Sequence, residues 1–421
     1  MFDIFEKRES QVRSYCRNFP IEFNKAKGAV LTSIDGQEYI DFFAGAGAMN
    51  FGHNNEYIKK QIMDYLSQDK IIHALDMFTE AKEKWLNGFT EKIFIPKNLD
   101  YKIMCCGATG TNAVEAALKL ARKNTKRTNV FAFTGAFHGM TLGSLAMTSD
   151  RHSRLGAGLP LNNVTFVPYY NAFKDYTQSL DYLEMILSDD HSGIDLPAAI
   201  VLETVQAEGG VNVAPKEWLQ GIRKICDKYG ILMIIDDIQV GICRTGDFFS
   251  WERANIIPDM VVLSKSISGF GLPMAILLVK PEYDIFSPAE HNGTFRGNQL
   301  GFVGSLAGIE YYHDHQLDKE VKRKEKIVQD FLERRIMPID VRLDIRGIGL
   351  IWGIDFIKID AQLSKAVMQK CVENGLIIER AGREDSVIKI LPPLTIEDDT
   401  LLNGLSILEN AVKDVLSNPA R

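Results

Sequence analysis

The run Ile231-Leu232-Met233-Ile234-Ile235, closed by Asp236-Asp237-Ile238-Gln239-Val240-Gly241, decides the fold. Five apolar residues without alternation read as a strand buried on both faces, as in a parallel sheet covered by helices. The same signature recurs at Lys102–Cys106, Val130–Phe133, Ala198–Leu202, Met260–Leu263 and Met274–Val279. Between these runs lie amphipathic stretches, such as Trp218–Tyr229, long enough for crossover helices. The expected fold class is α/β: a large domain with a mainly parallel, doubly wound sheet.

Outward from this core the pattern changes. After Gln316 a charged helical stretch over Asp318–Arg335 carries Val321, Val328, Phe331 and Leu332 at helical spacing. Ile348–Phe356, a helical stretch around Ala361–Glu373, Ser386–Leu391 and a final helix follow, the pattern of a smaller α+β domain. Gly28–Phe43 reads as strands joined at Ile34-Asp35-Gly36-Gln37 and is expected to pack with that smaller domain. The expected division is an N-terminal segment over 1–54, a large domain over 55–315 and a small domain over 316–421.

Composition narrows the function. The chain has 421 residues, 46% apolar and 24% charged, enough to bury large cores. Its 48 Lys and Arg against 55 Asp and Glu leave a formal charge of −7, the wrong sign for a phosphate-backbone binder, so nucleic acid is not expected as a partner. No uninterrupted apolar run approaches the ~20 residues of a membrane span, and the N-terminus Met1-Phe2-Asp3-Ile4-Phe5-Glu6-Lys7-Arg8 is too charged for a secretory signal. Six cysteines occur without a C-x-x-C pair or histidines at zinc spacing; adjacent Cys105 and Cys106 read as buried reduced thiols. A reducing, cytoplasmic compartment and no metal are the expectation.

In an open α/β sheet, ligands bind beyond the carboxyl ends of the strands. After Lys102–Cys106 comes a glycine turn, Gly107-Ala108-Thr109-Gly110-Thr111, entering a helix whose free N–H groups favour an anion. After Val130–Phe133 come Phe137 and His138, an aromatic residue able to stack on a planar ligand, followed by a histidine. After Ala198–Leu202 come Glu203 and Glu208. Asp236, at the end of the Ile231–Ile235 run, is an acid drawn partly out of water, and needs a cationic partner to stay charged. After Met260–Leu263 comes Lys265, whose amine becomes nucleophilic when desolvated. Each has an ordinary reading alone: helix entry, packing, solvated acids, a lysine reaching solvent. Together they are the groups a pyridoxal phosphate site requires.

At this point the sequence resembles the class III, ω-type aminotransferases of the fold type I pyridoxal-phosphate superfamily. The resemblance is carried by Asp236-Asp237-Ile238-Gln239-Val240-Gly241-Ile242-Cys243-Arg244-Thr245-Gly246, with Lys265 following Asp236 by 29 residues. It extends from Asp35-Gly36 and Gly52-His53-Asn54 to Leu391-Pro392-Pro393-Leu394-Thr395-Ile396, nearly the whole chain. It implies that pyridoxal 5'-phosphate is the cofactor, held covalently by Lys265, which then moves the proton. Asp236 would pair with the ring nitrogen, Phe137 and Ile238 would cover the two ring faces, Gln239 would bond the phenolic oxygen, and His138 would belong to the same cofactor shell. Gly110 and Thr111 would bind the phosphate, joined by Thr294 of the neighbouring subunit, so that a homodimer is the minimum active unit. Three runs, Gly110–Lys119, Ser264–Met274 and His291–Asn298, are similar to the branch that moves the amino group of L-glutamate to L-aspartate 4-semialdehyde. Its products are L-2,4-diaminobutyrate and 2-oxoglutarate, the first step of ectoine synthesis.

The departures from the family pattern concern the substrate. The second acid is Asp237 where glutamate is usual. Met140 stands where many relatives carry an arginine for the distal carboxylate, and Lys389 stands where they carry one for the α-carboxylate. A lysine is a point charge without the planar bidentate grip of arginine. Glu208 and Lys389 match the pair that, in relatives, opens for glutamate and closes for the other substrate. Arg296 is an extra cation, read either as a replacement grip or as an intersubunit salt bridge. The residues do not separate ectoine synthesis from siderophore or polyamine synthesis by the same reaction. A 4-aminobutyrate or ornithine enzyme is disfavoured by the two missing arginines. A nicotinamide-dependent oxidoreductase or a non-catalytic pyridoxal-fold protein would leave Lys265 and Asp236 without a purpose.

Overall fold

A computed structural model describes residues 3–417. The chain begins its sheets with β1 (Phe23–Lys27), β2 (Val30–Ser33) and β3 (Glu38–Asp41). The central strands follow as β4 (Lys102–Cys105), β5 (Val130–Phe133), β6 (Val164–Val167) and β7 (Ala199–Leu202). A short ladder pairs β8 (Val205–Gln206) with β9 (Asn212–Val213). Then come β10 (Leu232–Asp236), β11 (Met260–Leu263) and β12 (Ile276–Val279). The C-terminal strands are β13 (Asp344–Ile348), β14 (Ile351–Asp355), β15 (Leu376–Ile377), β16 (Glu379–Ala381) and β17 (Val387–Ile390).

The central sheet runs β4-β12-β11-β10-β7-β5-β6 and is parallel except for β12, which is antiparallel to both neighbours. Strand β6 is a seventh member outside the six expected apolar runs. The absence of alternation has the expected cause. On β10, Met233 and Ile235 enter one core while Leu232 and Ile234 enter another across the sheet. The residues of β5, β7, β11 and β12 divide in the same way. The second face is lined by small groups because Ala113, Ala116, Ala117 and Ala121 of the helix Gly110–Thr125 lie against it, letting that helix sit close to the strand ends.

At the other end of the chain β13-β14-β17-β16 form an antiparallel sheet. β1-β2-β3 meander, and β3 pairs in parallel with β15 from the C-terminal region. The helix Gln299–Asp314, like β6, was not among the expected elements; it is buried along Phe302, Gly304, Ala307 and Gly308. Its glycines let backbone approach backbone. A Cβ on Gly304 would lie 2.4 Å from the Ser268 carbonyl, and one on Gly269 2.1 Å from that of Gly304. This contact seats the turn Lys265–Ser268 after β11. All six cysteines are free. Cys106 is buried as expected, but Cys105 is only half-buried, and Cys16 is exposed on a short helix, Tyr15–Asn18, that has no buried residue.

Candidate active site

The carboxyl ends of β5, β7, β10 and β11 open on a cavity of about 190 Å³. Gly110 and Thr111 line it from the helix after β4, and Phe137 and His138 from the turn after β5. Asp236, Ile238 and Gln239 line it after β10, Lys265 after β11, and Glu203 and Glu208 after β7. The parallel register places Asp236 beside Val262, so the acid and the lysine leave adjacent strands.

Asp236 is 4% exposed and has two donors: the ring of His138, with Nδ1 2.8 Å from Oδ2, and the Ile238 amide at 3.2 Å from Oδ1. Burial would lower the His138 pKa, but the bond to Asp236 and the charges of Asp236 and Glu203 raise it instead. The other ring nitrogen, Nε2, is buried without a hydrogen-bond partner among the described residues. A solvated-loop reading of Glu203 fails: it is 7% exposed and accepts the Phe137 amide at 3.0 Å. Burial pushes its carboxyl up to about 8. Asp237 is fully buried on the Ser250 amide and hydroxyl, and burial pushes it to about 7.

Lys265 adopts φ of +51°, and its Nζ donates to the Ala46 carbonyl at 2.8 Å. Gln239 Nε2 donates to the same carbonyl at 2.8 Å, and Gln239 Oε1 is buried without a partner among the described residues. Ser266 donates to the Gly47 carbonyl at 2.6 Å. Segment 44–50 therefore closes the lysine's side of the cavity, a contribution no motif announced. Burial lowers the Lys265 pKa. At the helix entry, Thr111 Oγ1 lies 2.6 Å from the Thr141 hydroxyl and also meets that of Ser144. A Cβ on Gly110 would lie 2.7 Å from Ile238 Cδ1, so a larger residue here would have to displace the tip of the Ile238 side chain.

Lys389, with no exposed side-chain surface, contacts Glu208 at 2.6 Å. It has a second acid that the sequence reading missed: Glu379, 2.9 Å away and paired with it across the β16–β17 ladder. The signal was present. Glu379 closes the apolar run Leu376-Ile377-Ile378 as Asp236 closes its own.

Thr294 and Arg296 do not line the cavity of their own chain. The Thr294 carbonyl accepts from His73 at 2.9 Å. Arg296 is spent on main-chain carbonyls, that of Cys105 at 2.9 Å and that of His291, so within its own subunit it is not the replacement grip. Met140 is 54% exposed and does not line the cavity, although its neighbour Gly139 does.

Comparison with known proteins gives the arrangement a relationship. The Aminotransferase class-III family profile matches residues 12–412. The diaminobutyrate–2-oxoglutarate transaminase of Halalkalibacterium halodurans is 50% identical over 412 residues, covering 98% of this chain and 96% of the relative. The protein of the same name from Sporosarcina pasteurii is 51% identical over 415 residues, covering 98% and 97%. Among solved structures, the ornithine aminotransferase of Toxoplasma gondii superposes with a TM-score of 0.86 at 23% identity, covering 100% of this chain and 95% of its own. A taurine:2-oxoglutarate aminotransferase from Bifidobacterium kashiwanohense, in complex with PLP and glutamate, gives 0.83 at 25% identity, covering 94% and 93%. With the family profile spanning nearly the whole sequence and half of all positions shared with these relatives, the chain belongs to the class III aminotransferases.

Proposed function

We propose that the chain is a pyridoxal-phosphate-dependent transaminase that moves the amino group of L-glutamate to L-aspartate 4-semialdehyde, giving L-2,4-diaminobutyrate and 2-oxoglutarate. The observation that carries the mechanism is the meeting of Lys265 and Asp236 in one cavity. Identity near 50% to the two transaminases above supports the substrates.

The residues fit the cofactor. A protonated ring nitrogen needs an anion that cannot turn away, and Asp236 is held from behind by His138. The Gln239 side chain faces the cavity with its Oε1 acceptor unpartnered among the described residues, able to accept from a phenolic hydroxyl. Phe137 and Ile238 supply the two apolar faces, and the Gly110–Thr111 helix entry suits a phosphate. Pyridoxal phosphate, when bound, supplies a carbonyl that exchanges with amines and a ring that withdraws electrons from the substrate carbon. The protein's part is proton handling and orientation. Asp236 keeps the proton on the ring nitrogen. Lys265, whose pKa burial lowers, gives up its proton more readily and would serve as the base that takes the proton from the substrate carbon and the acid that returns it on the far side of the nitrogen. Lys389 takes glutamate's α-carboxylate when Glu208 moves off, and Glu208 returns when the semialdehyde, which has only hydrogen there, occupies the site.

The active unit is a homodimer in which Thr294 of the partner subunit completes the phosphate site. The ring contact of His73 with Phe295 ties the 291–297 loop to the segment around 71–78, and together they expose Ile71, Met77, Phe78 and Phe295. Phe78 is 100% exposed, and such a patch calls for a second copy. The free cysteines support a cytoplasmic location. Among the described residues no helix is long and apolar enough to cross a membrane. The product serves ectoine synthesis, which the genomic neighbours of the gene would test.

Borohydride reduction followed by peptide mass analysis tests the cofactor assignment: colour is lost and the added mass sits on Lys265. Added mass on another lysine, or a colourless purified protein that takes up no pyridoxal phosphate, overturns it. Conversion of both L-glutamate and L-2,4-diaminobutyrate in half-reactions tests the substrates.

A further inference from the structure

Lys389 stands where a relative's arginine is always charged, and a lysine differs in one property that burial exposes. An arginine keeps its proton in any protein environment, whereas a lysine taken out of water readily loses it. Lys389 has no exposed side-chain surface. Its two acids are unlike each other. Glu208 lies in the loop after β8, lines the cavity and keeps 35% of its side chain exposed, so it has room to leave. Glu379 is 7% exposed, and its backbone is pinned opposite Lys389 by the β16–β17 pairing, so it has none.

We propose that Glu379 is the fixed counter-ion that keeps Lys389 protonated while Glu208 and a substrate carboxylate exchange on its ammonium group. The inference rests on the reading above, in which glutamate's α-carboxylate takes the place of Glu208. One carboxylate replaces another, so the local charge is the same before and after. In the interval Glu379 alone holds the proton on the lysine. A lysine can then do an arginine's task because a second acid supplies what the guanidinium has by itself.

The surroundings agree. Besides the two acids, the ammonium is faced by Lys265 from the turn after β11 and by Tyr15 from the helix Tyr15–Asn18. Neither is an anion at neutral pH, so the acids are its counter-ions among the described residues. Burial pushes the Glu379 carboxyl up to about 7 against the pull of Lys389, and the charge of Glu208 adds to that push. When Glu208 moves off, its contribution goes, and Glu379 ionises more readily when it is needed.

The test compares half-reactions of the holoenzyme by stopped-flow spectroscopy from about pH 7 to about pH 9, across the range where a buried lysine without a fixed acid loses its proton. For Glu379→Gln, the apparent Kd for L-glutamate, taken as a ratio to the unmodified enzyme, should rise by up to about tenfold per pH unit. The ratio for L-2,4-diaminobutyrate should stay level. Adding Lys389→Arg to Glu379→Gln should flatten the glutamate profile again, a rescue that a packing role for Glu379 does not give. A second measurement needs no variant. Calorimetric titration of the unmodified holoenzyme with glutarate, in two buffers of different ionisation enthalpy, should show no net proton uptake. Parallel profiles for Glu379→Gln and the unmodified enzyme, failure of the arginine to flatten the profile, or uptake of a proton with glutarate overturns the counter-ion role. An unmodified enzyme that does not react with glutamate at all overturns the substrate reading instead, and the two failures are told apart.

Discussion

Lys389 and Asp236 are the side chains whose surroundings decide most at the scale of the residue. Asp236 was legible as an acid ending a buried strand, but its hold on His138 joins residues 98 positions apart and left no local trace. A charge-assisted hydrogen bond contributes ~1.5–3 kcal/mol, so Asp236→Asn should slow each half-reaction by roughly ten- to hundredfold at least. Single-turnover spectra measure this, and a near-normal rate would remove Asp236 from the mechanism. Lys389→Met should cripple the glutamate half-reaction while sparing that with diaminobutyrate, and Glu208→Gln should do the reverse, since the lysine then lacks its mobile partner. Equal slowing of both halves in Lys389→Met would make the lysine merely structural. Glu203 carries a pH prediction. Its carboxyl is raised by burial to about 8, so the folded chain keeps a proton that the unfolded chain releases near the ordinary carboxylate value. Its contribution is complete below that ordinary value and is lost as pH rises through about 8. Glu203→Gln should therefore gain in stability over the unmodified protein as pH rises through this window, by at most ~1.4 kcal/mol per pH unit, seen as a widening difference in melting temperature. A difference that is constant with pH would mean that Glu203 is ionised in the fold.

At the scale of the element, the lysine turn depends on a helix that periodicity could not reveal. The helix Gln299–Asp314 is apolar on nearly every side and rich in glycine, so no polar face alternates with a buried one. How much of such a helix is buried is a tertiary fact. Its function follows from the absent side chain at Gly304, where the Ser268 carbonyl occupies the space a Cβ would need. Gly304→Ala forces two backbones apart, and overpacking of this kind costs ~1–3 kcal/mol. The expected result is a lower melting temperature together with weaker retention of pyridoxal phosphate, because Lys265 moves with its turn. Lost stability with full cofactor retention would show that the helix supports the sheet but not the lysine. The strands behaved differently: their apolar runs were legible because burial on two faces removes alternation, and β6 escaped notice because its Thr165 interrupts the run.

At the scale of the whole molecule, Thr294 does not line the cavity of its own chain. If the partner's Thr294 binds the phosphate, Lys265→Ala subunits should rescue Thr294→Ala subunits in mixed dimers. One of the two sites then holds an intact lysine and an intact partner threonine. Activity after mixing and re-assembly should approach a quarter of that of the unmodified enzyme if re-assembly is random, since roughly half the dimers are hybrids and each has one whole site. Absence of recovery would place Thr294 within its own chain or outside the site.

The sequence by itself determined the sheet, the strand ends at which chemistry collects, and the acid and lysine that belong to it. Those features depend on residues close along the chain: a run of apolar groups, then a charge. The tertiary structure alone decided which distant groups surround them. His138 behind Asp236, the Ala46 carbonyl beneath Lys265, Gly304 against the lysine turn and Glu379 across from Lys389 are all contacts between separate elements. Such contacts set how far each charge is drawn out of water and what it meets there, and pKa and specificity follow from that.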